Sequence, residues 1–93
     1  MTTYDITISS PMGEFPATIT LGEGEGHMSG KGGSGPLEEL HRAEDGSIRF
    51  NVRIDRPMPM TMKFSGVETD AGMDGTVKFG LFAKGTFAGT RAT

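Results

Sequence analysis

The sequence has no cysteine, no tryptophan, one tyrosine and only five prolines among its 93 residues. Without cysteine there is neither a disulfide framework nor thiolate chemistry, which removes the usual staple of small secreted domains. No window approaches the ~18 consecutive apolar residues of a membrane-spanning helix. The opening Met1-Thr2-Thr3-Tyr4-Asp5 lacks the basic and apolar regions of a signal peptide, so a cytoplasmic location is the expectation. Positive charge is also scarce. Nine Lys and Arg against twelve Asp and Glu give a net charge of −3, which offers no basic field to neutralise phosphates and disfavours nucleic-acid binding. Length limits the rest: a single domain over 1–93 is expected, far short of a TIM barrel of ~250 residues.

Glycine, in contrast, is abundant, at 15 residues of 93, about twice the average usage of ~7%. Hydrophobic residues make up only 34%, so the core must be thin. Many short strands and tight turns fit these numbers better than a helix bundle. Charge is unevenly placed. Residues 1–46 carry two cations against eight acids, whereas residues 47–93 carry seven against four. An acidic half and a basic half could pair between two copies, and a homodimer is the expected state.

Alternation with a period of two runs through most of the chain. Tyr4, Ile6 and Ile8 alternate with polar neighbours, as do Phe15, Ala17, Ile19 and Leu21, and Ile48, Phe50, Val52 and Ile54. The same holds for Met58, Met60, Met62 and Phe64, and for Met73, Gly75, Val77 and Phe79. A last strand runs from about Phe82 to Arg91, and weaker ones fall at about His27–Lys31 and Leu37–Arg42. Turn chemistry marks the breaks at Pro11-Met12-Gly13, Gly22-Glu23-Gly24, Gly32-Gly33-Ser34-Gly35, Glu44-Asp45-Gly46 and Asp70-Ala71-Gly72. Residues 37–45 have some helical character, with Leu37, Leu40 and His41 at i, i+3, i+4, but nine residues are short for a stable helix and a strand is preferred.

The halves resemble each other. Asp5–Met12 lies over Asn51–Met58, Ala17–Leu21 over Met60–Phe64, and Met28-Ser29-Gly30 over Met73-Asp74-Gly75. Two four-stranded units, at about 4–44 and 47–92, cannot each cover their own apolar face and must close on one another. The expected fold is therefore all-β, a small eight-stranded antiparallel barrel or barrel-like sandwich. Such an interior is just filled by side chains or holds one small ligand. The alternative is an incomplete barrel that finishes itself by dimerising.

Ser10-Pro11-Met12-Gly13, Pro57-Met58-Pro59 and the ending Gly85-Thr86-Phe87-Ala88-Gly89-Thr90-Arg91 resemble a small bacterial all-β domain. That domain is found alone or appended to amidohydrolase-type enzymes, and in shape it is like a miniature avidin or lipocalin barrel. The resemblance implies a β-barrel and brings no catalytic set with it. Avidin and lipocalin barrels proper use tryptophan near the closed end. This chain has none, so it implies no biotin-like or lipocalin-like ligand.

Few residues suggest chemistry. His27 follows Glu23 and Glu25, and His41 follows Glu38 and Glu39; a histidine–carboxylate pair could perform acid–base work. His27, His41, Glu39 and Tyr4 are the catalytic candidates for a small acid–base enzyme of lyase, isomerase or hydrolase type. The 14-residue gap between the histidines matches no local metal motif, and neither metal nor cofactor is expected. Gly30-Lys31-Gly32-Gly33-Ser34-Gly35 lacks the ending and the following helix of a phosphate loop, and reads as a hairpin loop. The methionine row carries the leading alternative. Methionine adapts to irregular space, and Met58, Met60, Met62 and Phe64, with Phe15, Phe50, Phe79 and Phe87, could line a pocket for a small hydrophobic ligand. The leading expectation is thus a non-enzymatic binding module for a small apolar ligand or a protein partner. Arg91, in step with Phe87, is expected to cover one barrel end.

Overall fold

The computed structural model describes residues 2–11, 13–30, 33–54, 60–80 and 83–92. Among them are nine strands and no helix: β1 (Thr2–Ser10), β2 (Gly13–Leu21), β3 (Gly26–Gly30), β4 (Gly33–Pro36), β5 (Glu38–Arg42), β6 (Ser47–Ile54), β7 (Met60–Glu68), β8 (Gly72–Phe79) and β9 (Ala83–Arg91). No helix in this set is long and apolar enough to cross a membrane. All pairings are antiparallel in one sheet of order β4-β3-β2-β1-β9-β8-β7-β6-β5. The sequence meanders except where the first and last strands meet, with Tyr4 opposite Arg91 and Ile8 opposite Phe87.

The expected count of eight strands becomes nine because one more forms just before the expected Leu37–Arg42. Gly33–Pro36, whose first three residues were expected in a turn, forms β4 and pairs with β3, with Met28 opposite Gly35. Two residues later the same segment changes sides. The Leu37 amide still donates to the Gly26 carbonyl at 2.9 Å, but β5 pairs with β6. The ladder shifts between Glu38 and His41, a bulge in which Glu39 takes φ +52°. No helix forms over 37–42. Because β4 also lies against β6, the sheet curls into a nearly closed barrel.

The apolar alternates converge inside. Ile6, Ile8, Ile19, Leu21, Met28, Ile48, Val52, Met62, Met73, Val77 and Phe79 are buried, and their polar neighbours face outward. Phe50 stacks on its cross-strand partner Phe64 with ring centroids 4.7 Å apart, and Phe64 meets Phe87 edge-on at 5.2 Å. All three rings are essentially inaccessible, so the middle of the barrel is filled with aromatic carbon.

Curvature this tight needs close backbone approach. Gly66 and Gly75 stand opposite each other on β7 and β8, and Gly75 in turn faces Phe87 on β9. A Cβ on Gly75 would run into the Ser65 carbonyl and lie 2.5 Å from the Gly66 Cα. Both obstacles are backbone and cannot rotate away, as expected of glycines at barrel bends. Gly75→Ala should therefore lower stability by about 2 kcal/mol, or about 10 °C in melting temperature. Calorimetry checks this, and a melting temperature within a degree or two of the parent would contradict the close approach.

Candidate functional site

Strand direction gives the barrel two unlike ends. At one lie the chain termini and the β2–β3, β5–β6 and β7–β8 turns; at the other, β1, β6 and β8 finish and β2, β7 and β9 begin.

The first end is polar. Tyr4 continues the inward row of β1, and Glu68 continues the row Met62, Phe64, Gly66 of β7. The Tyr4 hydroxyl donates to Glu68 Oε2 at 2.9 Å. Arg42, at the end of β5, donates to the same carboxylate through Nε at 2.6 Å and Nη2 at 3.1 Å. These groups come from strands that are not neighbours, so the network crosses the end of the barrel. Its donors and acceptors are spent on one another. Burial and the hydrogen bond to Glu68 push the Tyr4 phenol above its ordinary value, against a smaller opposing effect of the Arg91 and Arg42 charges. The bond to Glu68 likewise raises the Arg42 guanidinium. Five exposed acids in the turns surround this end: Glu23, Glu25, Glu44, Asp45 and Asp70. Arg91, expected to cover the barrel end, is exposed on β9 opposite Tyr4.

Of the four catalytic candidates, only Tyr4 faces inward. His27 is exposed on β3 between Thr20 and Pro36, and His41 is exposed on β5 opposite Arg49. Among the described residues neither histidine is joined to a carboxylate by an ion pair or hydrogen bond, and no group of three His, Cys, Asp or Glu could hold a metal ion. Glu39 accepts from Asn51 Nδ2 at 2.5 Å and shares with His41 a shallow open groove of about 440 Å³ on the outer face. Arg49, Asn51, Lys63, Ser65, Thr76 and Lys78 also line it. Lys63 stands directly opposite Lys78, and Lys78 directly opposite Lys84. All three are exposed, and among the described residues none has an ion-pair or hydrogen-bond partner.

The second end is apolar. Ile54, Met60 and Ala83 are partly buried there against the core. Phe15, opposite Ile8, is 37% exposed. The expectation that Phe15 lies in the interior is corrected: its parity is inward, but it stands near the start of β2, where the barrel no longer covers it. Met62 and Phe79 lie buried nearby, and Phe50, Phe64 and Phe87 fill the centre. Met58 lies outside the described residues.

Glu68 lies beyond the strand expected to end at Phe64, whereas Arg42 falls at the end of an expected strand with nothing local to mark its role. Extending the alternation from Phe64 through Gly66 puts Glu68 on the inward side. Nothing local pairs it with Arg42 or Tyr4, which are 26 and 64 residues away. Comparison with known proteins adds no relative: no family model matches the chain, and no curated protein or solved structure matches it.

Below its ordinary value of about 10 the phenol is neutral in both the folded and unfolded chain. As pH climbs past that value the unfolded chain loses the proton first. The stability that Tyr4 contributes is therefore complete below the unfolded pKa and drains as pH rises through the folded one. Because Tyr4 is the only tyrosine and there is no tryptophan, phenolate absorbance reports it alone. Absorbance should rise at higher pH in the folded than in the unfolded protein, and Tyr4→Phe should flatten the alkaline fall in melting temperature. Glu68→Ala leaves the phenol without its acceptor and should cost about 1–3 kcal/mol by denaturant titration. Tyr4→Phe should cost about 1 kcal/mol.

Proposed function

We propose that this barrel is a non-enzymatic binding module that takes a small apolar ligand at the end formed by Phe15, Ile54, Met60 and Ala83. The observation that carries this reading is the contrast between the ends. One is spanned by the Tyr4–Glu68–Arg42 network, while the other leaves Phe15 37% exposed above Ile8, with Met60 and Ile54 only partly buried. Water in contact with these side chains is released when an apolar guest covers them. The aromatic centre is a floor rather than a cavity, so the guest sits on Met62 and Phe79 and does not displace Phe64. This makes Met60, Met62, Phe15 and Phe79 the contact residues of the pocket expected from the sequence. The three phenylalanines Phe50, Phe64 and Phe87 support them from beneath.

Acid–base catalysis has less in its favour, since both histidines face outward and, among the described residues, the one inward carboxylate is held by Arg42 and Tyr4. A duplicated four-stranded unit is the accompanying reading of the fold. It is supported by matching buried positions in the two halves, Ile6 with Val52, Ile19 with Met62 and Met28 with Met73. The resemblance to a barrel domain carried beside amidohydrolase-type enzymes favours an accessory, binding role over independent catalysis.

The folded protein should bind a hydrophobic fluorescent dye, with a medium-chain aliphatic alcohol displacing it. Phe15→Ser and Met60→Ser should each weaken binding severalfold. Because these side chains are incompletely buried, the melting temperature should fall far less than for a core substitution. Tyr4→Phe, at the opposite end, should bind the dye as the parent does. A folded protein that takes up no dye, or one whose uptake survives both serine substitutions, overturns the reading.

A further inference from the structure

The row Lys63–Lys78–Lys84 crosses three adjacent strands with each lysine directly opposite the next. Directly opposed like charges destabilise a sheet, and nothing among the described residues compensates these three. A chain with a net charge of −3 nevertheless concentrates three of its four lysines there. The surface beside them is concave. The groove that Lys63 and Lys78 line also offers Arg49, the Ser65 and Thr76 hydroxyls and the Asn51 amide. Its one described carboxylate, Glu39, is held by Asn51. The groove includes the bulge at Glu39, whose φ of +52° is a conformation that non-glycine residues seldom adopt. Strain of this kind recurs at functional sites.

From these observations we infer that the outer face of β6–β9 binds a small oligoanion with several linked phosphate groups, laid along the lysine row with one end in the groove. Neighbouring strands are ~4.8 Å apart, so three ammonium groups span ~10 Å. That length suits a short run of linked phosphates better than a single one. Lysine supplies point charges that follow a flexible anion, and the Ser65 hydroxyl and the second amide proton of Asn51, whose first goes to Glu39, donate to its terminal oxygens. The five acidic residues in the turns lie at the end of the barrel where the termini meet. The row lies near the opposite end, so the anion approaches the flank without crossing them. This site is separate from the apolar end and stands or falls independently of it.

The test is titration of the full chain with sodium tripolyphosphate, against orthophosphate and sodium chloride at matched ionic strength, followed by calorimetry and by melting temperature. Tripolyphosphate is expected to raise the melting temperature beyond both controls. Lys78→Gln, which removes the central charge, should weaken binding about tenfold. Without ligand the same variant should melt above the parent, because it relieves both opposed pairs; this readout also guards against a loss of binding caused by misfolding. Arg91→Gln makes the same change of charge at the polar end, opposite Tyr4, and should do neither. Three results overturn the proposal: tripolyphosphate behaving like chloride, Lys78→Gln and Arg91→Gln weakening binding equally, or a dimeric mass that Lys78→Gln converts to a monomer, which would mean that a second copy already covers the row.

Discussion

A sheet that curls on itself leaves two edge strands whose N–H and C=O groups need partners, and here both edges are pieces of one segment. β4 and β5 follow one another through Leu37. The first completes the ladder of β3 and the second that of β6. The segment can serve both sides only by bending, and the bulge at Glu39 supplies the bend. An exposed edge is a template for aggregation. The broken strand removes most of that edge without needing a tenth strand or a second copy. Interior packing depends on this closure, since the inward rows of the strands meet in one core only when the sheet curls round.

Closure also separates the two kinds of chemistry the chain carries. Inward positions at the middle of each strand are apolar and meet in the stack of Phe50, Phe64 and Phe87. Where the inward rows reach the end near the termini, they finish in Tyr4, Glu68 and Arg42, and the polar groups satisfy one another across the opening. A lone carboxylate there would be costly to bury; with a bidentate guanidinium and a phenol it closes the end instead. At the other end the rows finish in Phe15, Ile54, Met60 and Ala83, and among the described residues no polar network spans them. The outer positions hold the charge, with acids in the turns at the polar end and lysines in line on the opposite flank.

Much of this could be read from residue order, because alternation is a local property. Ile6 and Ile8, or Phe50 and Val52, declare their side of a strand without reference to any other strand. The segments that misled are those whose state is decided elsewhere. Gly33–Pro36 has a loop's composition and becomes a strand because β3 offers it a partner. Phe15 has the correct parity for the interior, but the barrel stops short of covering it. His27 and His41 drew attention for their chemistry alone, and both lie on the outside.

Residue order alone determined that the chain is all-β, that its apolar alternates share one interior, and that its charge divides between halves. These follow from the two-residue repeat of a strand and from counting. Only the tertiary structure decided that the segment of β4 and β5 would serve two neighbours, that Glu68 would meet Tyr4 and Arg42, and that three lysines would fall into one row. Each depends on register between strands. Register is set by turn lengths, bulges and glycine contacts acting together, and a shift of one residue would send every one of these side chains to the opposite face.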